Sequence, residues 1–382
     1  MTDQMHPRQS LSLKLAVVSL CVFIAGCYLS PTLSFSKLII NFIGIISFFY
    51  FLMHRHVFYA LILKEKILVL FLFITVLSCS WGDTDSFKHA LKSSLVVMLF
   101  TFYISNFKDD IYKKLNIILM TVVLSAGLLA TILLYDHFSI YGFNLRKKIH
   151  VTYGPIVQTI KTASVFTIAL LVMIWNVFTN KGWQRWVCAL LFFPVLLVML
   201  LLQSRGAVLA LGVGVSFLYV VHNTRSRKVI SQSLIGVILL GILLSLGALF
   251  SLEYNPKGVT DSLRIPIWWQ SIQEAYPEKT LWGIGYSKNQ QIFLSEGGKF
   301  SHSHNIFVSI FRFTGVIGLL SFSAYLVAVI RRSSAKKKHV PEVALFWAWV
   351  ATALCIYFFD GKYPVYIAPD IFLILWVPLA FL

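Results

Sequence analysis

Long apolar runs separated by short polar breaks dominate the chain. A membrane-spanning helix needs roughly 17–25 predominantly apolar residues. On that measure twelve runs qualify: Leu11–Leu29, Leu33–Met53, Phe58–Trp81, Phe87–Ser105, Leu115–Leu134, Thr162–Thr179, Trp186–Leu202, Gly206–Val221, Val229–Leu252, Ile306–Ile330, Val343–Phe359 and Val365–Leu382. Lys64, Glu65 and Lys66 interrupt the third, so its first part reads as a short interfacial piece. The pattern predicts an all-α polytopic integral membrane protein with one integral membrane domain. Residues 1–252 hold the first nine spans, 253–303 form one large loop, and 304–382 hold the last three spans. At about 50 residues the loop is too short for an independent domain. It is expected to hold a few short helices packed on the spans. No internal repeat and no low-complexity segment is visible.

Composition agrees with this pattern. Of 382 residues, 58% are hydrophobic and 13% charged, too apolar for a soluble domain of this length. The net charge of +18 would suit a nucleic-acid partner, but its distribution points elsewhere. With the N-terminus in the cytoplasm, every inside loop is basic: Arg55, Lys64 and Lys66; Lys108, Lys113 and Lys114; Lys181 and Arg185; Arg225, Arg227 and Lys228; and Arg331 through Lys338. That is the positive-inside pattern. It places both termini in the cytoplasm and Gly82–Ser86, Glu253–Ser303 and Asp360–Pro364 outside. The expected partners are membrane lipids, not nucleic acid. Leu11–Leu29 lacks a small-x-small cleavage site after it and reads as the first span rather than a cleaved signal. Cys21, Cys27, Cys79, Cys188 and Cys355 lie in apolar runs with no CxxC pair, so neither a disulfide framework nor a metal knuckle is indicated.

Two outside positions are basic against the rule: Arg146-Lys147-Lys148 and Arg205. An anionic ligand on the outer side would explain them. Translocation of a long loop despite its charge, or an arginine snorkelling from a span end, would also do so. Arg264 falls in Thr260–Pro266, which reads as a helix start capped by Asp261 or Ser262. Helix N-termini disfavour cations and favour phosphates. Arg264 there suits anion binding, or is an ordinary solvated arginine. Pro277 ends that helix, and Gly283-Ile284-Gly285 gives a tight turn that is not a nucleotide motif.

His302 and His304 open the tenth span in Ser301-His302-Ser303-His304-Asn305, where Ser301 or Ser303 can cap. A helix N-terminus and nearby arginines would keep such an imidazole neutral and able to accept a proton. A capping or interfacial histidine is the alternative. His-x-His supplies two metal ligands and no third is near in sequence, so neither a metal nor a cofactor is expected. Asp360 could orient a histidine or a sugar, pair with Lys362, or cap its turn. Asp370 reads as structural, with a polar partner that the sequence does not identify.

In order along the chain stand Gln203-Ser204-Arg205-Gly206-Ala207, Arg264-(x)3-Trp268, Tyr276-Pro277 with Gly283-Ile284-Gly285, His302-Ser303-His304-Asn305, and Gly315-Val316-Ile317-Gly318. This ordered set, with twelve spans and one large loop before the histidines, resembles the O-antigen ligase/polymerase superfamily of bacterial envelopes, and within it most closely the lipopolysaccharide O-antigen ligases. The resemblance implies an inner-membrane glycosyltransferase with its active site facing the periplasm. Its donor would be an undecaprenyl-diphosphate-linked glycan and its acceptor a sugar of lipid A-core, with neither metal nor nucleotide. By position, Arg205 and Arg264 would hold the diphosphate and His304, beside Asn305, would be the base. His302 would assist, and Asp360 would fall near an acidic position of some ligases. Three alternatives stay open: an O-antigen polymerase, a protein O-oligosaccharyltransferase and a lipid-linked oligosaccharide flippase. The polymerases typically have two large outer loops. A flippase would be expected to carry charges near mid-membrane in paired halves.

Overall fold

The computed structural model describes residues 7–151, 153–154, 156, 158–223, 263–287, 291–294, 298–335 and 340–382. Its elements in chain order are α1 (Pro7–Leu29), α2 (Leu33–Met53), α3 (Arg55–Lys64), α4 (Lys66–Leu77), α5 (Phe87–Tyr112), α6 (Leu115–Tyr141), α7 (Thr159–Thr179), α8 (Trp183–Leu201), α9 (Arg205–Asn223), α10 (Arg264–Gln273), β1 (Ile292–Phe293), β2 (Lys299–Phe300), α11 (Ile306–Ala335) and α12 (Val340–Asp360). The chain closes with α13 (Pro369–Phe381). Among the described residues, seven helices are long and apolar enough to cross a membrane, and α1, α4, α9 and α13 are shorter apolar helices. The protein is an all-α membrane protein. The expected ninth span, Val229–Leu252, and residues 253–262 of the loop, with the expected caps Asp261 and Ser262, lie outside the described residues.

Each helix shows where it sits by which positions it buries. On α7 every residue from Thr162 to Met173 is buried, so this helix runs through the centre, packed on α8, α9 and α12. On α2, Leu38, Phe42, Ile45 and Phe49 are exposed. Their spacing makes one helical stripe, and lipid is the solvent that accepts it. α9 lies along α12, α11 against α4, and α1 against α6.

The expected third span, Phe58–Trp81, is divided. α3 ends at Lys64 and α4 starts at Lys66. Glu65, at the break, is 6% exposed. Arg332 donates to both of its oxygens, at 2.8 and 2.6 Å. A buried carboxylate needs such a partner, and the bidentate fork of α11 supplies it. The last helix starts at Pro369 rather than Val365, with the proline in its first turn, where a missing N–H costs nothing. The segment 263–300 holds one described helix, α10, and also a small antiparallel hairpin, β1 with β2, where only helices were expected.

α11 is broken in its middle, and the break docks the loop. Gly315 has φ 65° and ψ −163°, which interrupts the helical hydrogen bonds. The freed groups pair with the loop: Ile284 N donates to Arg312 O (2.8 Å), Gly285 N to Phe313 O (3.0 Å), Val316 N to Thr280 O (2.9 Å) and Ile317 N to Leu281 O (3.3 Å). A Cβ on Gly315 would lie 2.2 Å from Leu281 O. The Gly-Ile-Gly turn and the Gly-Val-Ile-Gly motif are therefore two sides of one backbone contact.

Candidate active site

The site forms where the start of α11 meets the end of α12. Asn305 caps α11: its side-chain oxygen accepts from Phe307 N (2.9 Å) and Val308 N (3.1 Å). Asn305, not Ser301 or Ser303, is the cap. His304 precedes it with φ 54°, a left-handed backbone that few non-glycine residues adopt. Opposite, Gly361 lets the chain after α12 press against α11. A Cβ there would meet Tyr357 O at 2.2 Å and Ile306 N at 2.3 Å. This approach brings Asp360 onto His304, and His304 Nδ1 lies 2.6 Å from Asp360 Oδ1. A carboxylate only accepts, so Nδ1 carries the proton, and in the neutral imidazole Nε2 is the nitrogen with the lone pair. Asp360 is 9% exposed and His304 25%, so the carboxylate is covered while the imidazole is reachable.

The His302 ring lies tilted against that of His304, with ring centres 4.0 Å apart. Its Nδ1 is 2.9 Å from Ser301 Oγ, and its Nε2 is 3.9 Å from Asp360 Oδ1. Burial, against the pull of Asp360, pushes the His302 pKa down to about 4, with His304 and Lys362 adding to the effect. His302 is thus neutral at physiological pH. The dominant cause is burial rather than the helix terminus or arginines.

A third potential metal ligand, absent near these histidines in sequence, is present in space: ligand atoms of His302, His304 and Asp360 lie within 4.8 Å of one another. Two ligands at zinc distances in a tetrahedron stand about 3.4 Å apart. The 2.6 Å contact of His304 with Asp360 is shorter and fits a hydrogen bond.

The arginines approach through their helices. Arg205 starts α9, and the next position, Gly206, packs on Phe359: a Cβ there would lie 3.7 Å from Phe359 Cβ. Arg264 starts α10, whose Trp268 ring centre is 5.4 Å from that of Phe358. Both helices therefore pack against the turn that ends in Asp360. Arg205 is exposed and Arg264 half-buried. The two basic breaks in the charge rule are also neighbours. Ile149 N donates to Leu201 O at 3.1 Å, and Gln203 Nε2 contacts Arg146 O at 3.5 Å.

Two features went unread in the sequence. Arg312 lies within the apolar run of α11, 1% exposed, and its Nη2 pairs with Glu274 Oε2 at 2.5 Å. Its Nε donates to the same oxygen at 2.7 Å. Glu274 follows α10, so this pair ties the Arg264 helix to the His304 helix. A lone arginine inside an apolar run was the available signal. The second is Lys161, whose Nζ is 3.8 Å from Asp370 Oδ2 and supplies the unidentified partner of that carboxylate.

No curated protein matches the chain. Residues 187–323 match the O-antigen ligase family, a stretch that holds Arg205, Arg264, His302 and His304 and ends before Asp360. The family's activity is glycosyl transfer in general, from lipid-linked glycans in a membrane setting. By its apolar helices the chain is a membrane protein, and its stretch 187–323 is similar to the O-antigen ligase family.

Proposed function

We propose that the protein is an O-antigen ligase. It moves a glycan from undecaprenyl diphosphate onto a sugar of lipid A-core, at the periplasmic face of the bacterial inner membrane, with both termini in the cytoplasm. The observation that carries this reading is the 2.6 Å His304–Asp360 contact, set beside the helices that start with Arg205 and Arg264.

A glycosyl diphosphate already holds its leaving group, so the protein has two tasks. One is to take the proton of the acceptor hydroxyl. His304 Nε2 does this as the C–O bond forms, and Asp360 stabilises the resulting imidazolium through Nδ1–H. His302, neutral and packed at a tilt against His304, helps hold the ring. The other task is to stabilise charge on the departing diphosphate. Arg205 and Arg264 do this with planar forks that donate paired hydrogen bonds to phosphate. Direct attack inverts the anomeric centre. No step is routed through a metal.

A deletion strain complemented with variants tests the reading on a lipopolysaccharide gel. Wild type restores O-chains on lipid A-core. His304→Ala and Arg264→Ala leave bare core with lipid-linked polymer accumulating and protein levels unchanged. Arg205→Lys also fails, because a point charge does not replace a bidentate fork. Normal ladders in His304→Ala would refute the base assignment. Core carrying a single repeat unit in the deletion would assign the polymerase reaction instead.

A further inference from the structure

Near the histidines, three lysines lie around Tyr366 and Asp370. Lys161 Nζ is 3.8 Å from Asp370 Oδ2, with side chains 18% and 7% exposed. Lys37 Nζ lies 5.8 Å, and Lys362 Nζ 6.0 Å, from the centre of the Tyr366 ring. Lys37 and Lys362 are half-buried, and among the described residues neither has an ion-pair partner. Lys362 follows Asp360 by two positions and acts on His302, so the cluster adjoins the proposed base. Burial and the nearby Lys161 charge press the Lys362 pKa below the usual lysine range.

Helix geometry makes this crowding more costly. Lys161 sits in the first turn of α7 and Lys37 in the second turn of α2. The dipole of α7 opposes a cation in that first turn, an effect that fades by the second turn, where Lys37 lies. A second observation is independent of the lysines. The Tyr357 hydroxyl is buried without a partner, on a residue 3% exposed. It lies within electrostatic reach of both Asp360 and Asp370. A buried, unpartnered hydroxyl and excess positive charge are both resolved by the same thing, an anion that accepts hydrogen bonds.

We propose that Lys37, Lys161 and Lys362, gathered around Tyr366 and Asp370, form a phosphate subsite next to the His304–Asp360 pair, which holds a phosphate group of one of the two lipid substrates. Lysine suits this role as a point charge on phosphate. The subsite adds to the arginines and deepens the transfer reaction proposed above, on which it rests. The phosphate comes either from the donor's diphosphate or from the acceptor lipid.

The test uses the full-length protein in nanodiscs, with inorganic pyrophosphate and inorganic phosphate as probes, titrated by calorimetry. Arg264→Gln serves as the background that mutes the arginine site. Lys362→Gln and Lys37→Gln are expected to weaken pyrophosphate binding about tenfold or more, as loss of a charge-assisted bond predicts. In the transfer assay, run with Arg264 intact, each should raise one KM about tenfold with kcat held. A rise in donor KM assigns the donor's diphosphate, and a rise in acceptor KM assigns the acceptor. Wild-type pyrophosphate affinity together with unchanged KM for both substrates overturns the subsite. Lys37→Gln breaks no ion pair, so it carries the test if Lys362→Gln fails to fold. Pyrophosphate binding that depends on the lysines, in a protein that transfers no glycan, would keep the subsite and reject the reaction.

Discussion

Removing Asp360 separates orientation of the base from its chemistry. The carboxylate accepts from His304 Nδ1 at 2.6 Å and is 9% exposed. Water therefore cannot readily take its place. A hydrogen bond to a charged group contributes about 1.5–3 kcal/mol. At about 1.36 kcal/mol per decade of rate, Asp360→Ala should slow transfer roughly 10- to 150-fold. Asp360→Asn keeps a neutral acceptor and should fall between that variant and wild type. His304→Ala removes the proton acceptor and should cost on the order of 10²–10⁴. The two residues act as one unit, so Asp360→Ala adds little on top of His304→Ala. Initial rates with purified protein, lipid-linked glycan and lipid A-core provide the assay. If Asp360→Ala retains half the wild-type rate while His304→Ala is inactive, Asp360 does not orient the base.

Gly315→Ala places a methyl 2.2 Å from Leu281 O at a backbone conformation essentially limited to glycine. It should cost about 1–3 kcal/mol in strain, loosen the loop in limited proteolysis, and reduce transfer. Arg312→Met strands Glu274 and should destabilise by about 3–5 kcal/mol, with partial recovery of melting temperature in Arg312→Met with Glu274→Gln. His302 also gives a pH signature. Its folded pKa of about 4 lies below the ordinary value near 6.5, so the folded state binds fewer protons. This stabilisation is complete above about pH 6.5 and is lost as pH falls toward about 4. His302→Gln should flatten the fall in melting temperature across that window; an unchanged slope would reject the buried-neutral assignment.

Local pattern made much of the protein legible. Apolar runs near twenty residues specify spanning helices because lipid leaves backbone groups no other partners. The triplet Lys64-Glu65-Lys66 marked the broken third run, since charge is expensive there. His304 and Asn305 could be read as the opening of α11 because helix starts carry local chemical signals. His304 and Asp360 are far apart in sequence, and no local rule joins them. Their contact depends on Gly361 letting two helix ends close together.

The sequence by itself determined the helical class, most span positions and the candidate groups, because these follow from composition, period and capping. Only the tertiary structure decided which groups meet. It placed Asp360 on His304, tied α10 to α11 through Arg312 and Glu274, set Lys161 against Asp370, and set Lys37 and Lys362 against Tyr366. The physical reason is the same in each case. A buried charge must find its partner across helix interfaces, and those pairings are fixed by packing rather than by neighbours in the chain.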